Sequence, residues 1–322
     1  MKSLLARLSI DAYLLAIIAM VVLASVLPAR GEVAEAVSLA TKVGIALVFF
    51  LHGARLSREA VVAGIVHWRL HLLVLAITFV AFPLAGIAIA ALPAWITPPA
   101  LAAGLVYLAC LPSTIQSAIG FTVIARGNIP AAVCSASASN LLGIVVTPLL
   151  VGALLSAQGG VSLSSVKTIL LQLLVPFVAG QLVHPFVGAF MRRHAKPLQL
   201  VDRGSILLVV YNAFSGAVVA GIWSQVSAPD LARLTVICLV LLAGSLGFSL
   251  WLSRVRGFPV DDEATIIFGG SNKSLAAGVP MAGALFPAAT MGFVLLPVML
   301  YHQFQLMACA AIAQRYAKRA DP

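Results

Sequence analysis

Apolar residues fill the chain in long runs separated by short polar seams. The runs cover roughly residues 10–28, 36–54, 69–92, 99–125, 129–155, 165–189, 203–225, 231–253, 262–286 and 288–314. A helix needs about 20 mostly apolar residues to cross a bilayer, so the pattern predicts ten spanning helices. The seams carry the usual breakers, among them "LPARGE", "LPAWITPP", "RGNIP", "RRHAKP" and "RVRGFPVDD". None is long enough for a soluble domain, so residues 1–322 read as one membrane domain. The first run, with Lys2 and Arg7 ahead of it, reads as a spanning helix and not as a removed leader.

Two of the runs are interrupted by polar residues. The fourth contains "CLPSTIQSAIGFT", where Pro112 precedes Ser113, Thr114, Gln116 and Ser117; the ninth contains "GGSNKSLAAGVP", with Ser271, Asn272, Lys273 and Ser274. Ser113 and Ser271 lie 158 positions apart, close to half the chain length of 322. The prolines that follow each break, Pro130 and Pro287, repeat nearly the same offset. Five helices per half would invert the second copy, giving repeats at about 10–155 and 165–314. Interrupted spans in matching positions of two halves point to a transport site, because unwound backbone in lipid survives only where protein, water or solute satisfies it.

Composition agrees with the pattern. The chain is 61% hydrophobic and 9% charged, with a mean hydropathy of +1.08, against about 25% charged residues in soluble domains. The net charge of +10 does not indicate nucleic-acid binding, because the basic residues sit in the seams and form no patch. With a cytoplasmic N-terminus, fifteen of the twenty Lys and Arg residues fall inside and four outside. That asymmetry predicts cytoplasmic termini in an inner-membrane protein. Lys273, the remaining cation, stands alone inside an apolar run. All ten acidic residues lie at run ends or in seams. The four cysteines fall in apolar runs with no CxxC pair and read as small buried hydrophobes.

Further candidates come from neighbouring runs. "CSASASN" brings Ser135, Ser137, Ser139 and Asn140 into the fifth, and "LPVMLYHQFQ" brings His302 and Gln303 into the last. The candidate substrate- or ion-binding set is Ser113, Thr114, Gln116, Ser117, Ser135, Ser139, Asn140, Ser271, Asn272, Lys273, Ser274 and His302. No HExxH, no GxSxG and no intramembrane Asp pair is present, which speaks against an enzyme. No pore-lining helix repeats as a channel would require, and a regulatory membrane protein remains an alternative.

The block "FTVIARGNIPAAV", together with "LPSTIQSAIGFT" and "GGSNKSLAAGVP", resembles the bile acid/sodium symporter family over essentially the whole chain. The resemblance is to the branch that contains solute carrier family 10 member 7. It implies panel and core domains, crossing of the fourth and ninth helices at their breaks, and a small organic anion as substrate. No cofactor is implied beyond a coupling ion, H+ or Na+; membrane lipids are the other expected partners, and oligomeric state is left open. The family's sodium ligands do not carry over. Their positions fall on Thr78, Ala118, Ile119, Ala132 and Ala136, though a one-residue shift would restore Ser117. The family's membrane-embedded glutamate is missing, and Lys273 stands near its place. A lysine at that depth must be paired, snorkelled or neutralised. It can stand in for sodium, exchange a proton during transport, bind an anionic substrate, or serve structure alone.

Overall fold

The computed structural model describes residues 12–55, 67–156 and 163–319, and among them every regular element is helical. In chain order these are α1 (Ala12–Val26), α2 (Gly31–Arg55), α3 (Trp68–Ala90), α4 (Pro99–Cys110), α5 (Ile115–Ile124), α6 (Ile129–Ser156) and α7 (Leu163–Arg193). They continue as α8 (Ala195–Val219), the single turn α9 (Ile222–Gln225), α10 (Ala228–Val255), α11 (Val260–Ser271), α12 (Leu275–Leu285) and α13 (Ala288–Ala317).

Among the described residues, six helices are long and apolar enough to cross a membrane: α2, α3, α6, α7, α10 and α13. The pair α4 and α5, bent by 61° at their joint, makes a seventh if taken as one span. The other apolar runs are helical too where they are described. Residues 12–26 of the first run form a helix of 15 residues. Helix α8 carries Lys196, Asp202 and Arg203 in its first half, and α11 begins with Asp261, Asp262 and Glu263. Lys2, Arg7 and Arg58, used in the charge count, lie outside the described residues.

Three seams and breaks differ from the sequence reading. "RRHAKP" is hardly a loop, because α7 ends at Arg193 and α8 starts at Ala195 with only His194 between them. The interruption of the ninth run starts later than Ser271, since α11 passes through Gly269 and Gly270 and includes Ser271 as its last residue. The hydrogens of the two glycines admit close neighbours: a Cβ on Gly270 would lie 3.1 Å from Ser249 Oγ and from Ile77. The run of α3 is not regular, since residues Ile77–Ala81 form a π-helical turn.

The core is one large apolar cluster drawn from nearly all of the helices. Polar ties at one end hold smaller satellites. Arg254 pairs with Glu263 at 2.8 Å, Asn128 donates to Asp262 at 2.8 Å, and Tyr316 donates to Glu263. Helix α10 starts with a capping box in which Ser227 and Asp230 satisfy each other's backbone amides.

Candidate functional site

The site is built where α4 meets α5 and α11 meets α12. Pro112 has no N–H, and it forces residues Leu111–Thr114 out of helical geometry. Five carbonyls at this break, from Ala109 to Ser113, find donors outside their own helix. Cys110 accepts from Thr147 Oγ1 at 2.8 Å, Pro112 from the amide of Ser274 at 2.9 Å, and Ser113 from Asn140 Nδ2 at 2.6 Å. The remaining two, on Ala109 and Leu111, accept from the same ammonium.

That ammonium is Lys273, which is 1% exposed. Its Nζ donates to the carbonyls of Thr78 at 2.9 Å, Ala109 at 2.8 Å and Leu111 at 2.8 Å. Three N–H bonds thus meet three acceptors, which is all the donors an ammonium has. The Phe82 ring centroid lies 4.1 Å from Nζ and adds a cation–π contact. Two of the acceptors come from the C-terminal end of α4, the negative end of its dipole. The third is free because of the π turn: the Phe82 amide bonds back to Ile77, and Pro83 offers no N–H to the Thr78 carbonyl. No carboxylate takes part.

The second break is satisfied from α13. Gln305 accepts from the Lys273 amide at 2.8 Å and donates to the Lys273 carbonyl at 2.9 Å. His302 Nδ1 stands 3.3 Å from that carbonyl and 2.9 Å from Gln305 Nε2. Tyr301 donates to the Ser271 carbonyl at 2.8 Å, and Tyr107 donates to that of Gly278 at 2.6 Å. The first break is served the same way by α6, where Ser139 Oγ accepts from the Ser113 amide at 2.9 Å and Asn140 serves its carbonyl. Replacing Gln305 with leucine leaves two buried main-chain groups unpaired, at roughly 1–3 kcal/mol each. The expected result is a clearly lower Tm in detergent, with the neighbouring Gln303→Leu as the comparison.

The breaks touch each other directly. Besides the Ser274–Pro112 bond, Asn272 Nδ2 lies 3.5 Å from Ser117 Oγ. Beside them opens a cavity of about 650 Å³. Its inner side is formed by Thr114–Ser117 and Ser274–Ala277, the first residues of α5 and α12, with Asn140, Ser137 and His302. Its outer wall is apolar, with Phe49 of α2, Phe177 of α7 and Ile206 of α8, and its polar rim includes His52, Arg55 and Asp202. Arg55 and Asp202 form an ion pair between α2 and α8.

The candidate residues therefore fall into two groups. Thr114, Gln116, Ser117, Asn140, Ser274 and His302 line the cavity. Ser113, Ser135, Ser139, Ser271, Asn272 and Lys273 are buried behind it. Ser135 bonds His71 Nδ1 at 2.6 Å, and Ser271 Oγ donates to Ile267 at 2.5 Å. Gln305, Tyr301, Tyr107 and the Thr78 carbonyl were not anticipated from sequence. The one local clue was Pro83, five positions after Thr78. Arg55 and Asp202 fall in seams in the sequence, and His52, inside the second run, was not singled out.

Comparisons with known proteins place this chain in a family. The chain is 53% identical over 313 residues to the uncharacterized protein PA2026 of Pseudomonas aeruginosa, covering 97% of this chain and 94% of that one. It is 49% identical over 317 residues to the Escherichia coli protein named "Putative symporter YfeH", again covering 97% and 94%. The zebrafish (Danio rerio) sodium/bile acid cotransporter 7 is 28% identical over 279 residues, covering 83% and 81%. The model of the SBF-like CPA transporter family matches residues 11–318, so the chain belongs to that family: it is a multi-pass membrane transporter and not an enzyme.

Proposed function

We propose that the protein is a secondary transporter of an organic anion that needs no sodium, because the Lys273 ammonium occupies the place of a bound cation. The observation that carries this is the pairing of all three ammonium protons with main-chain carbonyls at 2.8–2.9 Å, in a cage with no carboxylate. A tethered cation already neutralises the carbonyl dipoles that a free one would serve. The proposed architecture is a single domain of ten spans in two inverted repeats, about 10–155 and 165–314, in the inner membrane with cytoplasmic termini. In its favour, each break has its amide and carbonyl taken up by side chains of the helix that follows.

An anion fits the cavity because α5 and α12 both begin at it, and helix N-termini attract negative charge. The amides at the start of α5 have no side-chain cap. The apolar wall opposite suits a substrate with an apolar body. His302, which lines the cavity and lies beside the Lys273 carbonyl, favours protons as the coupling ion if uptake is coupled.

The test is uptake of labelled bile salts, sterol sulfates and small carboxylates by vesicles reconstituted with the purified protein. Accumulation is expected to be unchanged when choline replaces sodium at fixed pH. Collapse of uptake in choline means that sodium is the coupling ion and that the lysine cage does not replace it. Absence of flux for every anion class, with the protein correctly inserted, supports a regulatory membrane protein instead.

A further inference from the structure

A second, smaller pocket of about 260 Å³ lies away from the transport cavity, between the start of α3 and the turn joining α10 to α11. It is lined by His67, just ahead of α3, by Arg69 of α3, and by Arg256, Phe258 and Asp262 from the turn and α11. Gly257, at φ 70, lets the chain reverse tightly enough for Arg256 and Phe258 to face the same pocket. The charges around it are unequally spent. Asp262 accepts from Asn128 at 2.8 Å, Glu263 is paired with Arg254 at 2.8 Å, and Asp261 lies 3.9 Å from Arg319. Arg69 and Arg256 make no hydrogen bond or ion pair among the described residues. Among the described residues, the pocket therefore holds two guanidinium groups that no carboxylate pairs, against the single carboxylate of Asp262, whose Oδ1 is taken up by Asn128.

We propose that this pocket binds the phosphodiester headgroup of an anionic glycerophospholipid from the surrounding leaflet. Guanidinium groups suit phosphate oxygens in charge and in hydrogen-bond geometry. The surroundings suit a lipid and not free phosphate. Trp68, in the pocket itself, is 60% exposed, and Trp251, one turn before the end of α10, is 57% exposed and stacked on Phe248 with centroids 5.8 Å apart. Tryptophans of this kind sit at headgroup level in membrane proteins. Exposed Leu72 on α3 and Val255 on α10 continue the surface in apolar character, as acyl chains require. Basic pockets between spanning helices are a recurrent way to hold acidic lipid headgroups.

The experiment is native mass spectrometry of the full-length protein in neutral detergent, titrated with dioleoyl-phosphatidylglycerol or dioleoyl-phosphatidylcholine. The wild type is expected to retain phosphatidylglycerol in preference. Arg69→Gln or Arg256→Gln is expected to weaken that binding by about fivefold each, the usual worth of one basic residue near a charged headgroup. The double variant should lose the preference while keeping the wild-type Tm in phosphatidylcholine. Arg315→Gln, which removes an exposed charge elsewhere on α13, should change nothing. Retained preference in the double variant overturns the proposal, as does an equal loss in Arg315→Gln, which would mean diffuse surface attraction. Inorganic phosphate that displaces the lipid from the wild type at millimolar concentration would make it a free-phosphate site and overturn the lipid assignment without any variant.

Discussion

Replacing Lys273 with alanine is expected to abolish uptake, lower the Tm by several degrees, and make the Tm respond to sodium. The substitution leaves the carbonyls of Thr78, Ala109 and Leu111 converging on an empty space with no donor. Each buried, unpaired acceptor costs about 1–3 kcal/mol, so the loss is large for a single side chain. It also removes the bridge between α3, α4 and the α11–α12 joint. Three convergent carbonyls are the hard-oxygen environment that small cations accept, so added sodium is expected to restore part of the Tm. Lys273→Met is the matching control, since it fills the volume without a charge and blocks the cation as well. It should be destabilised yet indifferent to sodium. Lys273→Glu is the sharper functional variant, because a carboxylate at this position can create sodium dependence where none existed. A wild-type Tm that rises with sodium, or an alanine variant as stable as the wild type, would show that the lysine is not standing in for a cation.

A second large effect is expected at the crossing of α2 and α7. A methyl group on Gly53 would lie 2.0 Å from the carbonyl oxygen of Phe177, and one on Gly180 would lie 2.0 Å from that of Phe50. The opposing atoms are main chain on both sides, so no side chain can swing away. Gly53→Ala or Gly180→Ala must separate the helices, at a cost near or above the roughly 1–3 kcal/mol of ordinary overpacking. His184 Nδ1, 2.7 Å from the Ala54 carbonyl, is pulled away by the same movement. Phe49 and Phe177 stand on these helices and wall the cavity, so uptake should fall with stability. Gly120→Ala and Gly244→Ala are controls within helices, because nothing lies within 4 Å of a Cβ built there. They are expected to be neutral, or slightly stabilising by helix propensity, within about 1 kcal/mol. Equal Tm values for the two pairs would refute the close-crossing account.

Much of the membrane architecture can be read locally along the chain. Lipid demands apolar residues over whole spans, so composition and run length are enough to identify helices and exclude a soluble fold. Pro112 announces its own break, because the missing N–H and the ring act on the residues immediately before it. A lone lysine in an apolar run is equally visible, and the cost of burying it marks the site without showing what it touches. The glycines at 269 and 270 show the limit of local reading. Flexibility is a local property, but what kept them there is the approach of α3 and α10, which is not.

Partners were decided by tertiary structure alone. The acceptors of Lys273 are backbone carbonyls, which every residue carries, and only packing reveals which of them are unpaired and converge. Thr78 and Lys273 are 195 positions apart, and their contact depends on a π turn in one helix meeting a break in another. Gln305, two positions from the Gln303 noted in the sequence, serves the break because its rotation on α13 points it there. Helix rotation also separated the candidates that line the cavity from those buried behind it. In lipid, an all-apolar helix shows no inward face in its sequence, since the bilayer is as apolar as the core. The sequence by itself determined that the chain folds into apolar helices suited to a membrane and where two of the runs are interrupted; side-chain packing between distant helices determined what each break is paired with.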